Sequence, residues 1–255
     1  RNKDESSASV YHMGDECREV IQDLTRLLRR EDKHSKHSYL RQLGVIQVYQ
    51  KDLIPLLIEY GGQPNEDPTR RESKDLLKML FALLKLMVSL TMPAMLVFDG
   101  AQEKVEQTHE FGQVVDFLQA YKKATIETWP MVATENDLAN GRDITFKTPA
   151  ALEALLKVLY LPLTAEQRTS RQDDIVELVL LLFRNIMHCP SPPESGASRN
   201  SLHDRGVLAF EQVGIFDLIV SLANDIDTNE IFVGLLIEIV VYSLKDQTVD
   251  GLLAC

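Results

Sequence analysis

The 255-residue chain has little of what catalysis and cofactor binding require. Its three cysteines, Cys17, Cys189 and Cys255, are too scattered for a disulfide framework and fit a reducing compartment. No phosphate-cradling glycine loop occurs: Gly61-Gly62 precedes no Lys-Ser or Lys-Thr pair, so nucleotide hydrolysis lacks its basic tool. G-x-S-x-G and H-E-x-x-H are both missing. His34 and His37 are three apart, but Lys33 and Lys36 among them repel a cation and no cysteine is near, which argues against a metal site. His188 and Cys189 are adjacent, so on a helix they project roughly 100° apart. That excludes one nucleophile pair and leaves them as helix-end packing residues. No cofactor is implied, and the chain reads as a non-enzyme.

Positive charge is also scarce, with 27 Lys and Arg against 38 Asp and Glu and a net charge of −11. A surface that binds nucleic acid all over is thereby disfavoured, though a local basic patch is not. Acidic runs such as Asp173, Asp174 and Glu177 read as solvated helix faces. Long charge-free apolar runs are lacking too. The segment 75–98 is strongly apolar, but Lys78 and Lys85 lie inside it and Pro93 interrupts it. A membrane-spanning helix wants roughly 20 residues with few or no charges. The two lysines are seven apart and share a helical face, which describes a buried helix with one wet edge; no membrane contact is expected. No signal peptide is visible, and a chain that runs from Arg1 to Cys255 without an initiator Met reads as a piece of a longer protein.

What is present is helical pattern. With 45% apolar and 25% charged residues the composition is that of a globular chain large enough for a substantial core. Asp15 to Arg30 places Val20, Leu24, Leu27 and Leu28 on one face, with Asp15 as a candidate N-cap. Ser38 to Tyr60 predicts two helices, with Pro55 in the first turn of the second or kinking it. Glu106 to Trp129 carries a stripe of Phe111, Val114, Val115, Leu118 and Tyr121. Thr148-Pro149 predicts a capped helix start with proline at the first helical position, for a helix read to Pro162. The β-branched run 237–241 is kept helical, with Asp227 or Thr228 as cap.

Three helices look alike: "LKLMVSLTMPA" (84–94), "LLFRNIMHCP" (181–190) and "LIEIVVYSLKDQ" (236–247). Each is apolar on most sides and sets a small polar residue, Ser89, Asn185 or Ser243, in its last turns. A helix apolar all round must be covered on several faces, and recurrence of such helices between amphipathic ones points to a stack of helical hairpins or triplets. The polar residues are assigned a helix-end role, bonding backbone groups left free where the helix stops, with Asn185 tying its helix to the turn that follows. The spacings, 96 and 58 residues, share no period. The fold class is all-α: an irregular armadillo- or HEAT-like helical repeat array with loop insertions near 61–71, 129–147 and 190–201, in one domain over 1–255. An irregular helical domain with chance likeness between leucine-rich helices is the alternative.

One stretch departs from the acidic balance. Leu24 to Arg41 holds six basic residues, Arg26, Arg29, Arg30, Lys33, Lys36 and Arg41, against two acids. Arg26, Arg29, Arg30 and Lys33 are spaced to form a ridge at a helix end. Its functional reading is contact with phosphates, independent of base sequence and sensitive to salt. Its plain reading is favourable placement of cations at a helix C-terminus. The stretch lacks the interleaved aromatics of single-strand binders.

The blocks "LLRRED", "LRQLGVIQVYQKDLIPLL", "LMVSLTMPAMLVF", "FLQAYKKA", "LLLFRNIMHCP" and "SLKDQTVDGLLA" stand in the order found in the N-terminal domain of the Timeless family, and the chain resembles that family from about Tyr11 to Ala254. "RQLG" (41–44) and "LQAYKKA" (118–124) are more similar to its replication branch than to its insect clock branch. The first ten residues lack the family's apolar opening helix, and the loops at 61–71 and 129–147 diverge. The resemblance implies an armadillo-like array acting as a nuclear, non-enzymatic scaffold of the replication-fork protection complex. It also implies a Tipin-like subunit, replicative helicase and polymerase components and parental double-stranded DNA as partners, and support of checkpoint signalling and sister-chromatid cohesion. A clock-type interaction protein, or an unrelated helical-repeat adaptor such as a transport factor, are the other readings.

Overall fold

The computed structural model describes Gly14 and residues 16–31, 37–61, 71–98, 108–127, 149–165, 167–189, 201–225 and 229–245. No strand occurs among them. The helices are α1 (Cys17–Arg30), α2 (Ser38–Val45), α3 (Ile54–Gly61), α4 (Arg71–Leu90), the short α5 (Ala94–Val97), α6 (His109–Glu127), α7 (Ala150–Thr164), α8 (Ser170–His188), α9 (Leu202–Val213), α10 (Ile215–Asn224) and α11 (Val233–Ser243). A π-helical turn (Tyr49–Leu53) leads into α3, and a 3-10 turn (Glu230–Phe232) into α11.

The packing order explains two of the three look-alike helices, α4 and α8, while α11, at the end of the row, leaves Ile237, Val240 and Val241 exposed. All three lie side by side: α1 packs on α4, α4 on α8, and α8 on α11. A second layer of α2, α6, α7 and α9 covers this row, with α3 bridging α4 and α7. A helix inside such a row has neighbours on two flanks and above. Hence Met79, Leu80, Leu83, Leu84, Leu86, Met87 and Leu90 are all buried along α4, as are Ile175, Val176, Val179, Leu180, Leu182, Phe183, Ile186 and Met187 along α8. At about 1.5–3 kcal/mol per fully buried large apolar side chain, these two helices carry much of the core. The buried side chains form a connected cluster from Ile21 on α1 to Ile239 on α11. This is the all-α repeat array that the sequence predicts.

Local chemistry sets the joints. Pro55 has no N–H for the carbonyl four residues back, and a π turn ends just before it, at Leu53. Tyr49 of that turn stacks on Tyr121 of α6 at 4.6 Å and shares a 2.9 Å hydrogen bond with Thr125. The Glu31 carboxylate, just past α1, accepts the backbone N–H groups of Tyr39 (2.6 Å) and Leu40 (3.3 Å), so the end of one helix caps the start of the next. Gly214, at φ +83°, closes α9 and opens α10 with a 67° bend, a backbone conformation that favours glycine. Thr169 and Gln172 form a capping box on α8.

Several expectations shift by a residue or more. α7 begins at Ala150, with Pro149 at the N-cap position and Thr148 outside the described residues. It continues through a buried Pro162 to Thr164, because in the last turn proline forfeits only one internal hydrogen bond. Glu16, with no side-chain cap bond, holds the N-cap place of α1; Asp15, Asp227 and Thr228 lie outside the described residues. So do the sequence-read loops, apart from Gly61, which ends α3, Arg71, which begins α4, and Ser201, which caps α9.

Asn185 corrects its expected role. Its side-chain amide does not reach the turn after α8; it crosses to α4 and donates to the Val88 carbonyl (3.4 Å) and Thr91 Oγ1 (3.2 Å). Val88 is in the last turn of α4, where carbonyls lack intrahelical partners. The residue therefore clasps two neighbouring helices of the row. Ser89 and Ser243 each donate to the carbonyl four residues back, Lys85 and Ile239, and stay within their own helices. Asn185→Ala is expected to cost about 1–3 kcal/mol, the range for leaving buried polar partners unmatched, read as a lower midpoint in urea. An unchanged midpoint would show that the clasp contributes nothing to stability.

Among the described residues no single helix is long and apolar enough to cross a membrane.

Candidate phosphate-binding surface

The expected ridge is built partly as drawn. Arg26, Arg29 and Arg30 are exposed on the last turns of α1. Arg26 is paired with Asp23 at 2.5 Å, and Arg29 has no ion-pair partner among the described residues. Lys33, Lys36 and His34 lie outside the described residues. Arg41 is not part of the ridge. It is half-buried and donates to Gln113 Oε1 (3.1 Å) beside Glu110 at 4.0 Å, tying α2 to α6. Its place in the same basic stretch, eight residues after Lys33, misled, because the chain turns from α1 into α2 between them.

The structure adds what the sequence could not place together. α1 packs against α4, and the first turn of α8 abuts the same side. Between them lies a cleft of about 300 Å³ lined by Gln22, Thr25, Arg26, Arg29, Lys78, Phe81, Ala82, Lys85 and Arg171. Five of these side chains are basic and none carries a carboxylate. The two lysines read as the wet edge of α4 are thus its contribution to the cleft. Lys85 Nζ stands 4.0 Å from the Phe81 ring centroid and Arg171 Cζ 5.5 Å from it, so one ring holds two cations by its π face. Lys78 is paired with Asp75 at 2.9 Å.

In a chain of net charge −11 such a cleft matters because charge acts locally. The Debye length at physiological ionic strength is about 8 Å, so acids elsewhere on the chain barely dilute the potential inside. The arrangement suits anions that accept several hydrogen bonds, phosphoryl oxygens above all. It offers no nucleophile and no general base. Elsewhere, His188 stacks edge-on against Tyr242 at 4.5 Å, and burial together with Lys245 and Arg184 pushes its pKa down. Burial also pushes the Cys189 thiol up to about 11, so it carries little thiolate at neutral pH. His37 packs edge-on against Phe98 at 4.6 Å, with Glu31 3.9 Å away. Among the described residues no group of three or more His, Cys, Asp or Glu could hold a metal ion. Asp173, read as part of a solvated face, pairs with Arg168 at 3.0 Å, while Asp174 and Glu177 are exposed. Sequence reading also missed Asn229. It is buried, accepts from Arg168 and donates to the Leu222 and Asp225 carbonyls.

The family model described as "Timeless protein" matches residues 10–254. The chain belongs to the Timeless family. It is 32% identical over 248 residues to the protein timeless homolog of Mus musculus and 31% identical over 249 residues to that of Homo sapiens, each covering 95% of this chain and 18% of the relative. It is 30% identical over 239 residues to the mating-type switching protein swi1 of Schizosaccharomyces pombe, covering 92% of this chain and 21% of the relative. The chain thus spans about a fifth of the length of these relatives. Within this Timeless-family chain the blocks 41–44 and 118–124 fall on α2 and α6, which pack on each other. Gly44, Tyr121 and Lys122 of those blocks are buried. Each block also holds an exposed residue, Gln42 and Lys123.

Proposed function

We propose that this chain is the helical scaffold of a replication-fork protection complex, of the family's replication branch. In this reading it is nuclear and non-enzymatic, pairs with a Tipin-like subunit, and engages replicative helicase and polymerase components. It helps to hold parental duplex ahead of the fork, and through that assembly supports checkpoint signalling and sister-chromatid cohesion. The observation that carries the reading is the family match over nearly the whole chain, joined to a two-layered helical array with a group of exposed arginines at the end of α1. A stack of helices has a large surface for its volume, which suits a protein that holds others in register.

Duplex contact is assigned to the end of α1, where Arg26, Arg29 and Arg30 follow one another along an exposed edge. Phosphate contacts release counterions, so affinity falls with salt at a slope of about −0.9 per phosphate neutralised. Arg29→Glu combined with Arg30→Glu is expected to weaken duplex binding uniformly across sequences and to flatten the slope by about two contacts. Fluorescence anisotropy with a random-sequence duplex over a salt series reads both. A slope equal to that of the parent chain would leave these arginines as helix-end charges that stabilise α1 alone.

A further inference from the structure

The cleft behind the ridge has a different geometry from the ridge, and it points to a different ligand. We propose that the cleft between α1, α4 and α8 is a receptor for a phosphorylated serine or threonine carried on an acidic peptide segment. This goes beyond the duplex contact proposed above and does not rest on it.

The first ground is convergence. A DNA strand presents its phosphates in a row, one per about 3.4 Å of helix axis, and a row of cations along an exposed edge answers it. The cleft instead gathers Arg29 from one helix, Lys85 from a second and Arg171 from a third around one recess of about 300 Å³. Lys85 and Arg171 lie within 6 Å of the same ring centroid. The second ground is unmet charge. Nearby cations have been given acids: Arg18 has Glu19, Arg26 has Asp23 and Lys78 has Asp75. Arg29, Lys85 and Arg171 have no ion pair among the described residues, and it is these three that meet in the recess. Like charges brought together repel, and a bound dianion turns that repulsion into attraction.

The third ground is fit. A phosphoryl group carries about −1.5 to −2 charges at neutral pH and three acceptor oxygens, and a guanidinium fork engages two of them at once. Phosphopeptide recognition by arginine clusters follows this chemistry. Phe81 and Ala82 give the recess apolar lining, and Gln22, also in the lining, carries an amide that can bond a peptide backbone. Free phosphate would use the cations and leave both features idle.

The test is fluorescence polarisation with a labelled short peptide holding one phosphoserine among glutamates, beside its unphosphorylated twin. Unlabelled inorganic phosphate and a DNA duplex serve as competitors. The phosphopeptide is expected to bind at least about tenfold more tightly than the twin, as charge-assisted bonds to a dianion require. Lys85→Glu and Arg171→Glu should each lose about tenfold or more, Lys85→Arg should keep most of the affinity, and Lys157→Glu, on the exposed part of α7, should bind like the parent chain. Circular dichroism of each variant excludes unfolding as the cause. Equal binding of the two peptides would overturn the proposal. So would displacement by inorganic phosphate at matched concentration, which would make the recess a free-anion site. Loss of phosphopeptide binding in Arg30→Glu as large as in Arg171→Glu, with the duplex as the stronger competitor, would make the cleft part of a DNA track. A salt slope left unchanged by Arg29→Glu with Arg30→Glu in the duplex experiment touches none of these outcomes, so the two readings fail separately.

Discussion

Gly44→Ala is expected to be among the most damaging single-methyl additions in the chain. A Cβ at Gly44 of α2 would lie 2.4 to 2.6 Å from three carbons of the Phe117 ring on α6. Real Cβ contacts are essentially never that short, so the ring, or the helix that carries it, must move. Overpacking of this kind costs about 1–3 kcal/mol, and the upper part of that range is expected because the obstacle is a planar ring. At about 2–4 °C per kcal/mol for a protein of this size, the melting temperature should fall by several degrees. Phe117→Leu in the same chain should restore part of the loss, giving a coupling of about 1 kcal/mol or more in a double-mutant cycle. Melting of Gly44→Ala at the parent temperature, or strict additivity with Phe117→Leu, would contradict the close α2–α6 approach.

Lys122→Met is expected to stabilise the protein, the opposite of what loss of a charged side chain does on a surface. Lys122 of α6 is 1% exposed and its Nζ has no hydrogen-bond partner among the described residues. The space exists because position 206 on α9 is glycine, where a Cβ would lie 3.2 Å from Lys122 Cε. Burial is the main force lowering the Lys122 pKa from 10.5 to about 8; the charge of Lys245 lowers it further, and Cys189 and Asp204 oppose. Holding the charged form inside therefore costs on the order of 3 kcal/mol below pH 8. Methionine has a similar shape and no charge, so most of that cost should be recovered.

The sign of the pH dependence follows from the same shift. Between pH 8 and 10.5 the unfolded chain keeps a proton on Lys122 that the folded chain has lost, so stability rises with pH, by at most about 1.4 kcal/mol per unit. Cys189 acts in the opposite sense. Its folded pKa of about 11 lies above the ordinary 9.0, so from pH 9 to 11 the folded state holds the extra proton and stability falls. Tyr49 and Tyr121, both raised by burial, add to that fall above pH 10. The net gain is thus confined to about pH 8–9. Urea midpoints across this interval should climb for the parent chain and stay level for Lys122→Met. A level parent curve would mean that Lys122 is hydrated in solution.

The fold was largely legible because its causes are local or periodic. Apolar faces at helical spacing, breaker clusters and the recurrence around Ser89, Asn185 and Ser243 are properties of short segments, and the layered row of α1, α4, α8 and α11 follows from helices too apolar to stand alone. Polar side chains that work between helices were not legible. Asn185 was assigned to its own helix end because nothing in a sequence says that Val88 and Thr91, more than ninety residues earlier, lie beside it. Arg41 was counted with the basic residues of the stretch 24–41 as a phosphate contact for the converse reason, since nearness along the chain does not survive the turn into α2. The cleft shows both effects. Arg26 and Arg29 stood out as a local excess of charge, Lys78 and Lys85 showed only as an edge of α4, and Arg171 sits among Asp173 and Asp174, where its charge is cancelled on paper. Capping by Glu31 of a helix other than its own was hidden in the same way.

The most direct measurement is affinity purification of this chain from nuclear extract, with nuclease present so that DNA cannot bridge, read by mass spectrometry. Recovery of a Tipin-like subunit together with replicative helicase components, from a chain shown to be folded by circular dichroism, is the expected result. Recovery of clock proteins or transport factors in their place, or of neither a Tipin-like subunit nor helicase components from the folded chain, would contradict the fork scaffold as assigned to these residues.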